Sequence, residues 1–178
     1  TMNIVLLTGS AHRSGTTAAL AREFQRGAED AGHEVFRFDT AFREVHPCIG
    51  CDRCRREGVC TFAADDMKRL NPHLLAAEAV VFVSPIYYFD LSAQLKAVID
   101  RFYANDDALH GGKRALLLTA MADEDLGAAE GADATFRSIC AYLQWENAGI
   151  LNAAGASTAE DLTEEDLRRA YDLGKDLK

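Results

Sequence analysis

Residues Thr8 to Thr17, with the sequence TGSAHRSGTT, constrain the fold more than any other part of the chain. A short apolar run, Ile4 to Leu7, precedes this segment, and a helical pattern begins near Gly15. A strand–turn–helix unit leaves the first N–H groups of the helix without partners, and the helix dipole favours an anion there. The turn also carries donors suited to phosphate, namely the Arg13 guanidinium and the hydroxyls of Ser10, Ser14, Thr16 and Thr17. The segment therefore predicts a phosphate-binding turn, with an ordinary polar turn as the simpler alternative.

The spacing of the glycines narrows the kind of phosphate ligand. Five residues separate Gly9 and Gly15, whereas a Walker loop has four residues between its glycines. A Walker loop also has a lysine directly after its second glycine, and this chain has Thr16 at that position. The dinucleotide fingerprint G-x-G-x-x-G also fails, because its middle glycine is absent. Asp39, at the end of the predicted second strand, could imitate a ribose-binding acid, but the missing glycines weaken that interpretation. The spacing favours the phosphate of a mononucleotide.

Strand and helix patterns alternate along the chain. Apolar runs predict strands at about 4–7, 35–38, 79–83, 114–121 and 149–153, and helical periodicity predicts helices at about 15–31, 65–77, 92–103, through 136–143 and from 163 onward. Pro72 predicts either a kink in the second helix or a start only at Asn71. Thr163 and Asp166 form a capping-box pattern before the last helix.

This alternation predicts one α/β domain over residues 1–178, a three-layer sandwich with a five-stranded parallel sheet and right-handed crossovers. A phosphate ligand at the first strand–helix turn favours the flavodoxin-like strand order 2-1-3-4-5, which has its switch point between strands 1 and 3. In that order the loops after strands 1, 3 and 4 converge on one crevice.

Composition excludes several classes of partner. The formal net charge of −9 argues against nucleic acid or an anionic membrane surface as the main partner. The chain has no run of 18 apolar residues and no cationic segment followed by an apolar one, so neither a membrane span nor a signal peptide is expected. Most of the five cysteines crowd between residues 48 and 60, unlike a secreted disulfide framework. We therefore expect a cytoplasmic protein.

The segment Pro85 to Phe89, PIYYF, follows the third strand, so the predicted order brings it beside the phosphate turn. Tyr87, Tyr88 and Phe89 offer ring surfaces to a flat ligand, and their backbone N–H groups offer donors. Aromatic clusters also serve simply as core, so the loop alone leaves both roles open. Together with a mononucleotide phosphate turn it favours FMN, whose flavin carries the hydride chemistry. No catalytic side chain is predicted.

Three segments resemble the NAD(P)H-dependent FMN reductase family of flavodoxin-like proteins: GSAHRSGTT at 9–17, SPIYYFDLSAQLKAVIDR at 84–101 and the cysteine-rich loop at about 40–64. The resemblance spans roughly residues 3–120 and fades toward the C-terminus. It implies an FMN phosphate bound by Ser10, Arg13, Gly15, Thr16 and Thr17. It also implies an isoalloxazine ring against Pro85, Ile86, Tyr87, Tyr88 and Phe89, approached by the loop after Thr119. One departure is Thr16, where the family most often has Asn, although a hydroxyl can donate similarly.

The same resemblance implies an activity. Family members bind NAD(P)H transiently over the flavin and pass electrons to quinones, free flavin, azo compounds or metal centres. They are commonly homodimers or homotetramers with the flavin near a subunit interface. We therefore expect an FMN-dependent oxidoreductase whose partner is a small-molecule electron acceptor or a redox protein. The sequence leaves open the acceptor and the preference between NADH and NADPH.

The clustered cysteines have the spacing C-x2-C-x2-C-x5-C, at Cys48, Cys51, Cys54 and Cys60. Four thiolates at short spacing can hold a [4Fe–4S] cluster, whereas structural zinc usually takes two separated pairs. The pattern resembles the iron–sulfur flavoprotein branch of the same family, which implies electron transfer between a cluster, FMN and a partner such as ferredoxin. A loop that acts only as a lid or contact surface is the alternative. Cys140, on an apolar helical face, is expected to be an inert core thiol.

Overall fold

The five predicted strands form one parallel sheet in the computed structural model, which describes all residues from Thr1 to Lys178. The strands are β1 (Asn3–Thr8), β2 (Glu34–Asp39), β3 (Ala79–Pro85), β4 (Arg114–Ala120) and β5 (Glu146–Ala153). Their order is β2-β1-β3-β4-β5, which confirms the flavodoxin-like prediction. One row across the sheet pairs Phe38, Leu7, Phe82 and Leu117, so the carboxyl ends of the strands lie along one edge.

Seven helices connect or flank these strands. They are α1 (Thr16–Asp30), α2 (Arg53–Glu57), α3 (Met67–Ala76), α4 (Ala93–Asp100), α5 (Asp106–Leu109), α6 (Glu130–Leu143) and α7 (Glu164–Lys175). The short helices α2 and α5 were not expected from the sequence, because four or five residues are too few for a periodic apolar pattern. Short 3₁₀ turns occupy Thr40–Phe42, Arg101–Asn105, Leu126–Ala129 and Ala159–Asp161.

Alternate strand residues build a separate core on each face of the sheet. Val5 and Leu7 of β1 pack with the buried residues of α3, α4 and α6, whereas Ile4 and Leu6 pack with those of α1 and α7. The inner strands are apolar on both faces because helices cover both of them. This arrangement is the predicted three-layer sandwich, with β2 and β5 at the edges.

Several boundaries differ from the sequence predictions. The second predicted helix continues through Pro72, which is exposed, so the carbonyl group that loses its N–H partner there can bind water. The third predicted helix leaves α-geometry at Asp100 rather than near Tyr103, because Arg101 begins a 3₁₀ turn. Strand β5 begins at Glu146, earlier than predicted, and its pairing with β4 shifts register between Ala115 and Leu116. The capping box of Thr163 with Asp166 is confirmed.

Helices α1 and α7 approach each other through two glycines. A Cβ atom at Gly27 would overlap the carbonyl oxygen of Tyr171, and one at Gly174 would overlap the carbonyl oxygen of Phe24. Backbone therefore packs directly on backbone where α1 and α7 cross, and this close contact fixes the position of α1 relative to α7. None of the helices has the length and apolar character needed to cross a membrane.

Candidate functional site

The N-terminus of α1 has no capping side chain. Gly15 is its N-cap in extended backbone, no side chain accepts from the first turn, and that turn contains no acidic residue. Helices α4 and α7, by contrast, are capped by Ser92 and Thr163. The first N–H groups of α1 therefore have no side-chain partner, which leaves them available to an anion.

The turn before α1 is fixed to β3 and to the start of α4. Gly9 N–H donates to the Val83 carbonyl (2.8 Å), and the Ser92 hydroxyl donates to the Gly9 carbonyl (2.7 Å). Ser92 N–H donates in turn to the Ser84 hydroxyl (2.9 Å). A side chain at Gly9 would overlap the Ser92 hydroxyl, so only glycine fits. The phosphate turn is thus held at a defined position above the sheet edge.

A cavity of about 560 Å³ lies at this edge, within the size range of small-molecule and cofactor sites. Four loops form it, one after each of β1, β3, β4 and β5. Its lining residues include Ser10, His12, Ser14, Gly15, Thr16, Pro85, Ile86, Tyr87, Ala120, Met121, Ala122, Ser157, Thr158 and Glu160. Six of the residues predicted to bind FMN therefore line one cavity: Ser10, Gly15, Thr16, Pro85, Ile86 and Tyr87.

Arg13 and Thr17 lie on the other side of the phosphate turn, toward β2. They line a separate cavity of about 70 Å³, where the Arg13 guanidinium stacks 3.6 Å from the centre of the Phe42 ring. Asp39 faces the same cavity and accepts from the Thr8 hydroxyl (2.6 Å) and from Arg37 Nε (2.8 Å). Burial by itself would raise the pKa of Asp39, but these two hydrogen bonds outweigh it and lower the pKa. The carboxylate is already engaged by its neighbours.

Tyr88 and Phe89 form the tip of the loop after β3 and do not line the large cavity. They are 97% and 61% exposed, and both have positive φ values, 49° and 72°. Their N–H groups make no backbone hydrogen bond. The Phe89 carbonyl packs against Gly131, where a Cβ atom would overlap it. A strained, exposed aromatic tip with free donors is typical of a ligand-binding loop.

Thr119, a predicted cofactor residue, does not line the large cavity, because the structure buries it inside the sheet. It is fully buried in β4, and its hydroxyl donates to Asn152 Oδ1 (2.6 Å). The residues just after it, Ala120 to Ala122, do line the large cavity. Sequence reasoning missed the fourth loop, Ser157 to Glu160, although the carboxyl end of a fifth parallel strand could have indicated it.

The four clustered cysteines line a second site, a small cavity of about 20 Å³ that we call the cysteine cavity. Its other lining residues include Ile49, Phe62, Arg101 and Tyr103. No three Cys, His, Asp or Glu side chains in the chain stand in an arrangement that could already hold a metal ion. The fold thus brings Cys48, Cys51, Cys54 and Cys60 around one cavity, but their side chains are not arranged as the ligands of a metal ion.

Cys51 differs electrostatically from an ordinary exposed thiol. A hydrogen bond between the Thr61 hydroxyl and Cys51 Sγ (3.3 Å), helped by the backbone N–H of Arg53, lowers the pKa of Cys51. Cys140, by contrast, is 4% exposed on α6, and burial raises the pKa of that thiol to about 11. The thiolate form, which binds metals, is therefore favoured at Cys51 and disfavoured at Cys140.

Two arginines attach the cysteine-bearing segment to the body of the protein. Arg101 is 3% exposed and binds the carbonyl groups of His46 and Phe62, on either side of the cysteines, as well as the Asp65 carboxylate. Burial opposes the ionised form of Asp65, but hydrogen bonds from Arg101 and from two backbone N–H groups outweigh it and lower the pKa of Asp65. Arg55, on α2, binds Asp106 (3.1 Å) and Asp107 (3.2 Å) in the first turn of α5.

Helix α4 connects the two sites. Its N-cap, Ser92, holds the phosphate turn, and Arg101, directly after its last residue, holds the cysteine segment. Ser92 and Arg101 are both buried, so the helix fixes the phosphate turn and the cysteine segment relative to each other.

Comparison with known proteins gives a family match over most of the chain. The model of the family described as NADPH-dependent FMN reductase matches residues 2–149. Among solved structures, an NAD(P)H:quinone oxidoreductase from Methanothermobacter marburgensis covers 100% of this chain and 96% of its own, with a TM-score of 0.75 and 20% identity. An azoreductase has a TM-score of 0.72 at 18% identity, covering 98% of this chain and 99% of its own. At such identities these likenesses show the shared fold.

Curated relatives fall into two groups by name. An iron–sulfur flavoprotein of Methanocaldococcus jannaschii is 34% identical over 100 residues, which are 56% of this chain and 51% of that protein. An FMN-dependent NADH:quinone oxidoreductase of Methylorubrum extorquens is 31% identical over 126 residues, covering 62% of each. The chain therefore spans about half the length of the first relative and under two thirds of the second.

Proposed function

Because the chain belongs to the NADPH-dependent FMN reductase family, we propose that it is an FMN-dependent oxidoreductase that takes hydride from NAD(P)H. Its acceptor would be small: a quinone, free flavin, an azo compound or a metal centre. The observation that carries this proposal is the uncapped N-terminus of α1, which opens into the 560 Å³ cavity. Relatives named as FMN-dependent NADH:quinone oxidoreductases support the same chemistry.

The residues around the large cavity fit FMN. The first-turn N–H groups of α1, including that of Thr17, and the hydroxyls of Ser10 and Thr16 would bind the phosphate. The segment Pro85 to Tyr87 would form one wall for the isoalloxazine ring, and the free N–H groups of Tyr88 and Phe89 would donate to the oxygens at its edge. When bound, FMN supplies the hydride and electron chemistry. The protein's own task is to bind it, orient it and keep water from one face.

Arg13 would have to move in order to bind the phosphate. Its guanidinium is stacked on Phe42 and lies beside Ser10 and His12, which line both cavities. The side chain is exposed, so it can turn from Phe42 toward a phosphate without disturbing the core. We therefore retain Arg13 as a phosphate ligand that would move on binding.

Riboflavin provides a matched control for the phosphate site, because it lacks only the phosphate of FMN. We expect the apoprotein to bind FMN at least about 100-fold more tightly than riboflavin, or about 2.7 kcal/mol, measured by quenching of flavin fluorescence. Thr16→Val and Arg13→Ala should each weaken FMN binding by about 1–3 kcal/mol and leave riboflavin binding unchanged. Equal affinity for the two flavins in the unmodified protein would show that the phosphate turn is wrongly identified.

The reductase activity itself is tested with the FMN-loaded protein. We expect NADH or NADPH to bleach the 450 nm flavin band much faster than it bleaches free FMN, and a quinone to restore the band. Bleaching no faster than that of free FMN would refute the reductase proposal. It would leave FMN binding as a separate result.

We also propose that the protein is a homodimer or homotetramer. Tyr88 is 97% exposed, and Phe89 and Leu126 are also largely exposed, so a second copy could cover these side chains. Sedimentation equilibrium of the FMN-loaded protein tests this directly. A monomer at micromolar concentration would contradict it.

A second candidate function is that of an iron–sulfur flavoprotein. Four cysteines around one cavity are the ligand set of a [4Fe–4S] cluster, and relatives bear that name. A further observation that suits such a group is Arg101 Nε, a buried donor without a partner in a residue that lines the cysteine cavity. Cys48, Cys51, Cys54 and Cys60 would hold the cluster, which would exchange single electrons with a redox protein such as a ferredoxin.

Anaerobic purification separates this candidate from the simple reductase. A full cluster would give about four irons and matching acid-labile sulfide per chain, with a broad absorption shoulder beside the flavin bands. One zinc per chain would instead indicate a structural site. Flavin bands without iron or sulfide after anaerobic reconstitution would leave a reductase with a cysteine-bearing loop.

A further inference from the structure

Arg101 is placed to determine the shape of the cysteine cavity. Its Nη1 donates to the His46 carbonyl (2.8 Å) and to Asp65 Oδ2 (2.6 Å), and its Nη2 donates to the Phe62 carbonyl (3.1 Å). His46 lies just before the first clustered cysteine and Phe62 just after the last, so one guanidinium holds both ends of the segment. The guanidinium and the Asp65 carboxylate are almost completely buried, 3% and 7% exposed.

One N–H of this guanidinium is left over. Arginine has five N–H donors in a fixed planar fork, and the Nε–H of Arg101 is buried without an acceptor. A buried donor without a partner is costly and therefore requires an explanation. The same side chain lines the cysteine cavity, together with all four clustered cysteines. The side-chain acceptors of that cavity are the four cysteine sulfurs, the Asp52 carboxylate and the Thr61 hydroxyl. The Asp52 carboxylate already accepts from the Tyr103 hydroxyl (3.0 Å) and the Thr61 hydroxyl already pairs with Cys51 Sγ (3.3 Å), so sulfur atoms are the most numerous remaining acceptors.

We propose that Arg101 is the positioning residue of the cysteine cavity: it fixes both ends of the cysteine segment and donates its Nε–H to a sulfur atom of a thiolate-ligated iron–sulfur centre. This inference rests on the cluster function proposed above. The positive charge of Arg101 is already paired with Asp65, so its effect on the centre comes mainly from the hydrogen bond. Hydrogen bonds to the sulfurs of such centres help to set their reduction potentials. Because the bond stabilises the more negative, reduced state, it raises the potential.

Arg55 offers a matched control on the same segment. It also ties the segment to the body of the protein, through Asp106 and Asp107, and its guanidinium lies 4.5 Å from the centre of the Tyr103 ring. It does not line the cysteine cavity. Arg55→Lys therefore loosens an anchor of the segment without removing a donor from the cavity, whereas Arg101→Lys keeps the charge beside Asp65 and removes the Nε–H fork.

The experiment uses the full chain, purified anaerobically and reconstituted with iron and sulfide, and measures iron content and the midpoint potential by electron paramagnetic resonance. We expect Arg101→Lys to lower the midpoint potential and Arg55→Lys to leave it at the wild-type value. An unchanged potential in an iron-loaded Arg101→Lys protein would overturn the inference while leaving the cluster function intact. Failure of the wild-type protein to take up iron and sulfide would overturn both.

A second measurement covers the case in which Arg101→Lys does not fold or loses its iron. The arginine Nε–H signals of the wild-type protein are recorded by ¹H–¹⁵N NMR. Arg43 Nε is also buried without a partner, so the Arg101 signal is assigned through its connection to the backbone resonances of Arg101. We expect this signal to shift and broaden when the paramagnetic centre is loaded, while the signal of the surface residue Arg114 does not. An Arg101 signal unaffected by loading would refute a hydrogen bond to the centre.

Discussion

The hydroxyl of Ser92 should stabilise the fold more than an ordinary helix cap, because it serves two partners. It accepts from Leu95 N–H as the N-cap of α4 (3.4 Å) and donates to the carbonyl of Gly9 (2.7 Å). The Gly9 carbonyl accepts none of the backbone hydrogen bonds that lie outside the helix and strand ladders. Ser92 is fully buried. Ser92→Ala therefore removes a cap, at about 1 kcal/mol, and leaves a buried acceptor unpaired, at about 1–3 kcal/mol. The expected loss in unfolding free energy is about 2–4 kcal/mol.

Thr163→Ala is the matched control, because Thr163 caps α7 at an exposed position and binds no other element. It should cost only about 1 kcal/mol. Urea unfolding of the apoprotein, followed by circular dichroism, gives both values, and the melting temperature should fall by about 4–16 °C for Ser92→Ala. Because the Gly9 carbonyl belongs to the phosphate turn, Ser92→Ala should also weaken FMN binding. A Ser92→Ala loss no larger than that of Thr163→Ala would refute the second role.

Three further predictions concern other parts of the chain. Gly174→Ala should destabilise the protein by about 3 kcal/mol or more, since the new methyl group would overlap the Phe24 carbonyl, and a urea midpoint equal to wild type would contradict the backbone packing. Cys140, with its raised pKa, should stay unlabelled by a thiol reagent at pH 8 in the folded apoprotein while the clustered cysteines react, and labelling at the same rate would show the helix to be open. The lowered pKa of Asp65 means that its ion pair with Arg101 stabilises the fold at neutral pH, and that this stability is lost as the pH falls through the folded pKa. Asp65→Asn should remove that part of the acid sensitivity between about pH 5 and pH 2, and an unchanged pH profile of unfolding would argue against it.

The sheet and its order could be predicted because they depend on strong, local signals. Continuous apolar runs such as Ala79 to Val83 identify inner strands, and the phosphate turn before α1 selects the strand order. The helix boundaries near Pro72 and Arg101 could not be predicted as well, because they depend on exposure and on buried side-chain contacts. Such contacts join residues far apart in sequence, and no periodic pattern reports them.

The candidate site was predictable only in part for the same reason. Ser10, Thr16 and Tyr87 follow directly from strand ends and lie where parallel-sheet geometry brings them. The position of Arg13 on Phe42 depends on a ring from the segment after β2, which has no pattern linking it to the phosphate turn. Likewise the spacing of the cysteines predicts a shared cavity, whereas its closure by Arg101 is a tertiary contact that spacing alone cannot indicate.

Helix α4 fixes the distance and the relative rotation between Ser92, which holds the phosphate turn, and Arg101, which holds the cysteine segment. Nine residue steps from Ser92 to Arg101 correspond to about 14 Å along a helix axis, and each step turns the side chain by about 100°. Removing or adding one residue between them would therefore carry the Arg101 guanidinium to a different side of the helix, away from the carbonyl groups of His46 and Phe62. The length and the phase of this helix are thus constrained together. An indel in α4 would uncouple the phosphate turn from the cysteines even if every residue at both sites were kept.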